Sequence, residues 1–223
     1  MNDQALSFIN EEFTRSSVTP AEHDRLLADG WRHFAQQYFR YNLAPYENEI
    51  RLVIPLRIRL SDFRLAQSQE RVVRKNSDVS ASFGPVNVTS EVLRLFESHK
   101  RRFSRHPPES IYSFIAESPE AEPCETLQQT LRIGDHLLAT GFFDVGERAV
   151  SAIYTAFDPN QRQRSLGIFT ILKEIEFASN CGKEFFYLGY CYNGSSFYDY
   201  KKRFHGTEAY DWNGRWTPLP RDI

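Results

Sequence analysis

The sequence predicts an α/β protein of the α+β kind, built on a mixed but mainly antiparallel sheet, and three observations carry that reading. From Glu125 onward, TLQQTLRI, HLLATGFFDV and AVSAIYTAF are strand-like runs separated by Gly134-Asp135 and Gly146-Glu147 turns, the pattern of an antiparallel meander. The next segment, SLGIFTILKEIEFASNCG, places Ile168, Ile171, Leu172, Ile175 and Ala178 on one stripe, with Lys173, Glu174 and Glu176 mostly opposite. That is the period of a helix, and Gly182 supplies its stop. EFFYLGY then reads as a short buried strand.

The elements before the meander follow from the same rules. The stretch to about Thr19 has weak periodicity and an SSVTP break, so it reads as an arm. From Pro20 a short helical pattern containing Leu26 and Leu27 stops at Gly30, and aromatic residues suited to a strand follow. In EIRLVIPLRIRL, Leu52, Ile54, Leu56, Ile58 and Leu60 alternate against Arg51, Arg57 and Arg59. The period of two gives a strand with one buried face, and Pro55 confines it to an edge or a bulge. Arg64, Arg71, Arg74 and Lys75 precede an alternating run that ends at Gly84-Pro85. Thr89 or Ser90 is the N-cap of a helix whose Val92, Phe96 and Phe103 share a face, and a second short helix covers Ser110 to Ala116. After the last strand, NGSSFYDYKKRFHG is polar, aromatic and basic, with partial helical character.

Composition narrows the functional classes. A chain of 223 residues, 41% hydrophobic, buries one or two cores. Cys124, Cys181 and Cys191 are too few and too scattered for a disulfide framework or a four-ligand zinc site, and read as reduced thiols. The first residues carry charges of both signs without the apolar segment of a signal peptide, and no stretch approaches the ~18 apolar residues of a membrane span, so the expectation is a cytoplasmic protein without membrane contact. A net charge of -2 argues against a generic nucleic-acid binder, although the basic residues bunch.

One loop invites an anion. FDPNQRQRSLGIF joins a strand to a helix start, where unpaired amides and the helix dipole favour negative charge, and Arg162 and Arg164 add bidentate donors. Loop arginines are also commonly solvated or paired with surface carboxylates, and both readings stand at this point.

The order helix, three antiparallel strands, loop, helix, strand resembles the fold of the GCN5-related N-acetyltransferases, with a small N-terminal domain or extension: residues 1–85 for the extension and 86–223 for the acyltransferase-like domain. In that fold the loop before the central helix holds the pyrophosphate of coenzyme A through a Q/R-x-x-G-x-G/A pattern. The corresponding run here, Gln161 to Gly167, has a single glycine, which turns the reading away from coenzyme A.

A second resemblance is more specific. SAIYTAFDP, RSLGIFTILKEIEFA, GKEFFYLGY and YKKRF, between Ala149 and Phe204, are similar to the C-terminal domain of the arginyl-tRNA-protein transferases and their bacterial leucyl-transferring relatives. Upstream, DGWRHFAQQYFR, IPLRIRL and SQERVVRKNSDV resemble that family's N-terminal domain, so the likeness covers most of the chain after about Gly30. Two departures stand out. The family's N-terminal cysteine cluster, which binds a metal or iron-sulfur cofactor, falls on YNLAPYENEIRLVIP, which has no cysteine, so neither metal nor cofactor is expected. Where the family has a C-x-K-M-x-Y-K segment, Ser195, Phe197 and Tyr198 replace its Cys, Lys and Met, which marks a place where amino-acid or acceptor choice changed.

The resemblance implies attack by a primary amine on the ester that joins an amino acid, arginine or leucine, to its tRNA. The acceptor is a protein N-terminus or peptide, or in a variant form a small-molecule amine. The ester is already activated, so the enzyme chiefly orients two substrates and stabilises an oxyanion. On this reading Arg162, Arg164, Ser165, Leu166 and Gly167 hold the terminal phosphate, while Tyr187, Gly189 and Tyr190 lie beside the adenosine or aminoacyl group. The alternative role for the tyrosines is core packing, as for Phe186. Asp144, Glu174 and Asp199 are the acid-base candidates. Asp144 orients the amine or merely begins a turn, and Glu174 fits a solvated helix face. Tyr190, Tyr198 and Tyr200 are oxyanion or proton-donor candidates, and Lys201 is a charge near phosphate or substrate. Arg71, Arg74 and Lys75, with Lys100, Arg101, Arg102 and Arg105, would face an RNA acceptor stem with salt-dependent binding. A coenzyme A-dependent N-acyltransferase and a non-catalytic RNA- or protein-binding module are the competing readings.

Overall fold

The computed structural model describes residues 7–103 and 107–219, and the meander is its centre. β7 (Thr126–Ile133), β8 (His136–Val145) and β9 (Ala149–Phe157) pair antiparallel through the two expected turns. α4 (Leu166–Asn180) carries the chain back over the sheet, and β10 (Phe185–Tyr192) returns parallel to β9. This is the acetyltransferase-like arrangement that the sequence implies. Two segments from before residue 86 extend the same sheet. β5 (Glu49–Arg59) pairs antiparallel with β10, and β6 (Ser80–Pro85) pairs with β7 at the far edge.

β5 lies inside the sheet, flanked on its other side by β4 (Leu43–Tyr46) and β11 (Thr207–Tyr210), so it is not the edge strand that Pro55 suggested. The proline is tolerated for a local reason. β4 partners residues 49–52 and β11 partners residues 56–58, while Val53 turns its amide to Asn42 and its carbonyl to Trp212 on that side. Backbone groups alternate along a strand, so the N–H that Pro55 lacks would point into the gap between β4 and β11. β12 (Trp216–Pro218) adds an outer strand to β11 that the sequence reading did not anticipate.

The N-terminal arm is partly a strand: β1 (Asn10–Thr14) pairs with β3 (Gln37–Tyr41), which also pairs with β2 (Arg32–Phe34). α1 (Pro20–Ala28) starts at Thr19, whose hydroxyl accepts from the Glu22 amide, and Gly30 turns the chain at φ +83°. α2 (Gln67–Lys75) packs beside α4. α3 (Ser90–Lys100) is capped by Thr89 and buries Val92, Leu95 and Phe96; Phe103 lies past its end and is exposed. Only one 3-10 turn, Ile111–Ser113, forms where a second helix was expected, because the Phe114 carbonyl accepts from the Ala35 amide instead of continuing the helix. Arg105 falls outside the described residues.

The main core joins Ile58, Phe143, Ile171, Ile175 and Phe186 between the sheet and α4. Covered by the sheet on one side and by α2 on another, α4 has little solvated face. Glu174 is consequently buried rather than solvated, packed so closely on β8 that a β-carbon at Gly141 would lie 2.5 Å from its Oε1. Burial pushes its carboxyl well above the usual carboxylate range. Among the described residues no helix is long and apolar enough to cross a membrane.

Candidate active site

The parallel pairing of β9 and β10 lasts for three residues, Ala149–Ser151 opposite Phe185–Tyr187, and then ends. β10 shifts register against β5 between Tyr187 and Gly189, with Gly189 at φ +80°, and the two strands diverge. The groups exposed by the split are taken by a side chain from β2. Arg32 donates from Nη1 to Ser151 Oγ at 2.6 Å and from Nη2 to the Ala152 carbonyl. Its side of the split also receives Lys201, from the 3-10 segment Phe197–Arg203, whose Nζ donates to the Tyr190 carbonyl at 3.0 Å. A β-carbon on Gly189 would sit 3.5 Å from Lys201 Nζ and 3.6 Å from Arg32 Cζ, so both cations face the same point.

Arg32 is 8% exposed, and neither cation forms an ion pair among the described residues. Two desolvated positive groups so placed disfavour each other's charge. Burial, with the Arg32 guanidinium adding to it, pulls the Lys201 ammonium down to about 7. Above them opens a cleft of about 940 Å³ with aromatic walls that include Phe39, Tyr41, Phe114, Tyr154 and Tyr198. That volume lies within the range of small-ligand sites.

The start of α4 forms one rim. Arg162, Ser165, Leu166 and Gly167 line the cleft. The first amides of α4 have no intrahelical acceptor, and Ser165 enters the helix at φ +53°. Gly167 is tight against Phe157, since a β-carbon there would lie 3.3 Å from the ring. Arg164 takes another path: its guanidinium pairs with Asp78 at 2.8 and 2.9 Å and also reaches Gln161 and the Lys75 carbonyl. Lys75 in turn donates to the Gln163 carbonyl at 2.7 Å. These two residues fasten α2 to the loop, while Arg71 and Arg74 are exposed on α2.

Tyr190, Tyr198, Tyr200 and Gly189 all line the cleft. The Tyr190 hydroxyl donates to the Gly30 carbonyl at 2.7 Å, which ties β10 to the turn before Arg32. Burial pushes Tyr200 up to about 12, so its hydroxyl keeps its proton. Tyr187 lies outside the cleft; it packs with Leu27 and Ala149 and accepts from Arg57 Nη1 at 3.3 Å. Asp199 accepts from the Ser196 amide and pairs with Lys202 at 2.8 Å, a local capping role.

Asp144 is fully buried behind β2, away from the cleft. Its Oδ2 meets His33 Nε2 at 2.7 Å and its Oδ1 accepts from Thr126 Oγ1 at 2.7 Å. Burial alone would raise its carboxyl, but His33, His23 and Thr126 hold it below the ordinary value. His23 and Cys124 complete a fully buried group; burial takes His23 down to about 4 and pushes the Cys124 thiol up.

Sequence reading missed the floor and much of the walls. Arg32 stood within the DGWRHF run, but nothing in its local pattern separates a plug in a strand split from a surface arginine. Arg102 is at the cleft with its guanidinium 4.4 Å from the Phe157 ring, although its basic neighbourhood pointed only to a surface patch.

Comparison with known proteins agrees with this architecture. A family model described as arginine-tRNA-protein transferase, C terminus, matches residues 91–211. An aspartate/glutamate leucyltransferase of Stenotrophomonas maltophilia is 30% identical over 209 residues, covering 88% of this chain and 80% of its own. The leucyltransferase of Nitrosococcus oceani is 36% identical over 176 residues, covering 74% and 70%. That of Marinobacter nauticus is 30% identical over 225 residues, covering 96% and 91%. Among solved structures, FemX superposes with a TM-score of 0.55 at 9% identity, covering 90% of this chain and 69% of that one. The C-terminal domain of a lysylphosphatidylglycerol synthetase from Agrobacterium fabrum gives 0.51 at 13% identity, covering 83% and 56%. Both likenesses concern the fold.

Proposed function

The chain belongs to the aminoacyltransferase family of arginine-tRNA-protein transferases and aspartate/glutamate leucyltransferases, and from that premise we propose that it moves leucine from leucyl-tRNA to the amine of a peptide or protein that begins with aspartate or glutamate. The observation that carries the choice of acceptor is the pair Arg32 and Lys201, two desolvated cations on the cleft floor that form no ion pair among the described residues. A buried charge that lacks a protein partner is suited to one brought by a ligand. The side-chain carboxylate of the acceptor fills that place.

In this arrangement the acceptor amine attacks the ester carbonyl, the bond to the ribose oxygen breaks, a peptide bond forms, and the proton lost by the amine ends on the ribose hydroxyl. Because the ester is activated, holding both substrates in one orientation supplies much of the rate. Tyr200, which keeps its proton, donates to the oxyanion, and Tyr198 and Tyr190 border the reacting groups. The leading amides at Leu166 and Gly167, with Ser165 and Arg162, receive the terminal phosphate. The aromatic walls stack the terminal adenine, worth ~1–3 kcal/mol per base. Arg71, Arg74, Lys75 and Arg102 face the acceptor stem, so binding weakens with salt. Asp144 acts at a distance, through the β2 strand that carries Arg32. The division at residue 85 is thus one of labour: residues 1–85 supply Arg32, and residues 86–223 supply the split sheet and the phosphate rim.

Incubating the protein with labelled leucyl-tRNA and peptides beginning with Asp or Glu tests the proposal. Ribonuclease-sensitive transfer to the peptide amine is expected, and absence of transfer from any charged tRNA would overturn it.

A further inference from the structure

Behind the cleft, on the opposite face of β2 from Arg32, four residues distant in sequence present donor atoms to one another. One ligand atom from each of His23, His33, Cys124 and Asp144 lies within 4.8 Å of the rest, and all four residues are buried. We propose that this group binds a single zinc ion as a structural site.

The donor set and its surroundings argue for this. Thiolate, imidazole and carboxylate ligands in a closed four-membered set are those of a structural zinc centre. Outer contacts occupy one atom of three of the ligands and leave the other facing inward. His33 Nδ1 bonds the Ala35 carbonyl at 2.8 Å, which orients Nε2. Asp144 Oδ1 accepts from Thr126, which leaves Oδ2. His23 Nδ1 meets the Tyr38 hydroxyl at 3.3 Å, whereas Nε2 has no hydrogen-bond partner among the described residues and lies 3.9 Å from Asp144 Oδ2. Such outer bonds orient the ligands of metal sites. Cys124 Sγ completes the group, 3.9 Å from His33 Nε2.

The spacing is close to what zinc requires. Bonds of ~2.0–2.3 Å in a tetrahedron put neighbouring ligand atoms about 3.3–3.8 Å apart. The separations here include 2.7 Å for His33 and Asp144 and 3.9 Å for both His23–Asp144 and Cys124–His33, with every ligand atom within 4.8 Å of the others, so the widest pairs draw in as the ion binds. Entry of the ion displaces the Cys124 thiol proton and any proton between His33 and Asp144, so those two ligands move apart from 2.7 Å by about 0.6 Å or more. Thiolate and carboxylate then balance the two charges of the ion, and the buried group carries no net charge. The cysteine-free segment 41–55 contributes nothing. The ligands come instead from α1, β2, the stretch before β7, and β8, so the ion would clamp α1 and β2 to the central sheet and fix the strand that positions Arg32.

Elemental analysis of the purified full chain, prepared without a metal-affinity tag or chelator, tests the site. One equivalent of zinc is expected. After chelation and refilling with cobalt, a thiolate-to-cobalt charge-transfer band is expected, unchanged in the Cys181→Ser control and absent in Cys124→Ser. Chelation of the wild type should lower its melting temperature, and added zinc should restore it, a readout that requires no variant to fold. A wild-type protein that carries no zinc and takes up neither zinc nor cobalt stoichiometrically would overturn the proposal, as would a cobalt band that survives in a folded Cys124→Ser.

Discussion

Arg32 lines the cleft and Arg164 belongs to the loop that forms its rim, and the two have opposite circumstances. Arg164 sits in the loop that the sequence marks most plainly as an anion holder, yet its guanidinium is committed to Asp78 and to backbone that fastens α2. Arg32 sits in an unremarkable strand; its bonds are to a hydroxyl and a carbonyl, it forms no ion pair among the described residues, and the buried carboxylate whose charge reaches it, Asp144, is bonded to His33 and Thr126. A charge already paired by the fold stabilises the fold, whereas a buried charge left unpaired has been kept for something that arrives. On the proposed function, the loop holds the tRNA end through its amides and the floor holds the acceptor.

The largest effect should come from Arg32→Met. Removing one partner of a desolvated charge pair costs about 2–5 kcal/mol, a loss of roughly thirtyfold to a few thousandfold in kcat/KM for an acidic acceptor. A fall of less than threefold would break the comparison.

Lys201→Met should cost less, because Arg32 remains, and its pH behaviour is specific. In the free wild type the ammonium, near 7, discharges as pH rises, so KM for the acidic acceptor should climb above about pH 7. The variant should lack that limb. Stability carries the same signature: between about 7 and the ordinary lysine value the unfolded chain binds more protons than the folded one, so wild-type stability should rise with pH across that window. Urea midpoints of the variant should lose that rise.

Gly189→Ala is the next step down. A side chain at φ +80° costs about 1–2 kcal/mol, read as a lower urea midpoint at unchanged slope, and the added carbon sits in van der Waals contact with both cations, 3.5 Å from Lys201 Nζ and 3.6 Å from Arg32 Cζ. Smallest should be Arg164→Ala: a severalfold rise in KM for leucyl-tRNA with kcat preserved. A fall in kcat as large as that of Arg32→Met would reverse the two roles.

Local pattern revealed the meander, the capping of α3 by Thr89, and α4 with its glycine stop, because each depends on neighbours within a few residues. It also marked Ser165, Gly167 and Lys201, through a family resemblance. What it could not reveal depends on contacts far apart in sequence. Pro55 is accommodated inside the sheet by a gap between strands that are about 160 residues apart in the chain. Glu174 is buried because it lies on the face of α4 that packs on β8 at Gly141. His23, His33, Cys124 and Asp144 are widely separated, so a search for closely spaced cysteines passes over them.

If Arg32 and Lys201 together read the acceptor's carboxylate, the ratio of kcat/KM for two peptides that differ only in an N-terminal Asp or Asn shows it. The wild type should prefer Asp at least tenfold, and the ratio should collapse toward one in Arg32→Met. A ratio that survives the substitution, with both peptides slowed equally, would contradict it.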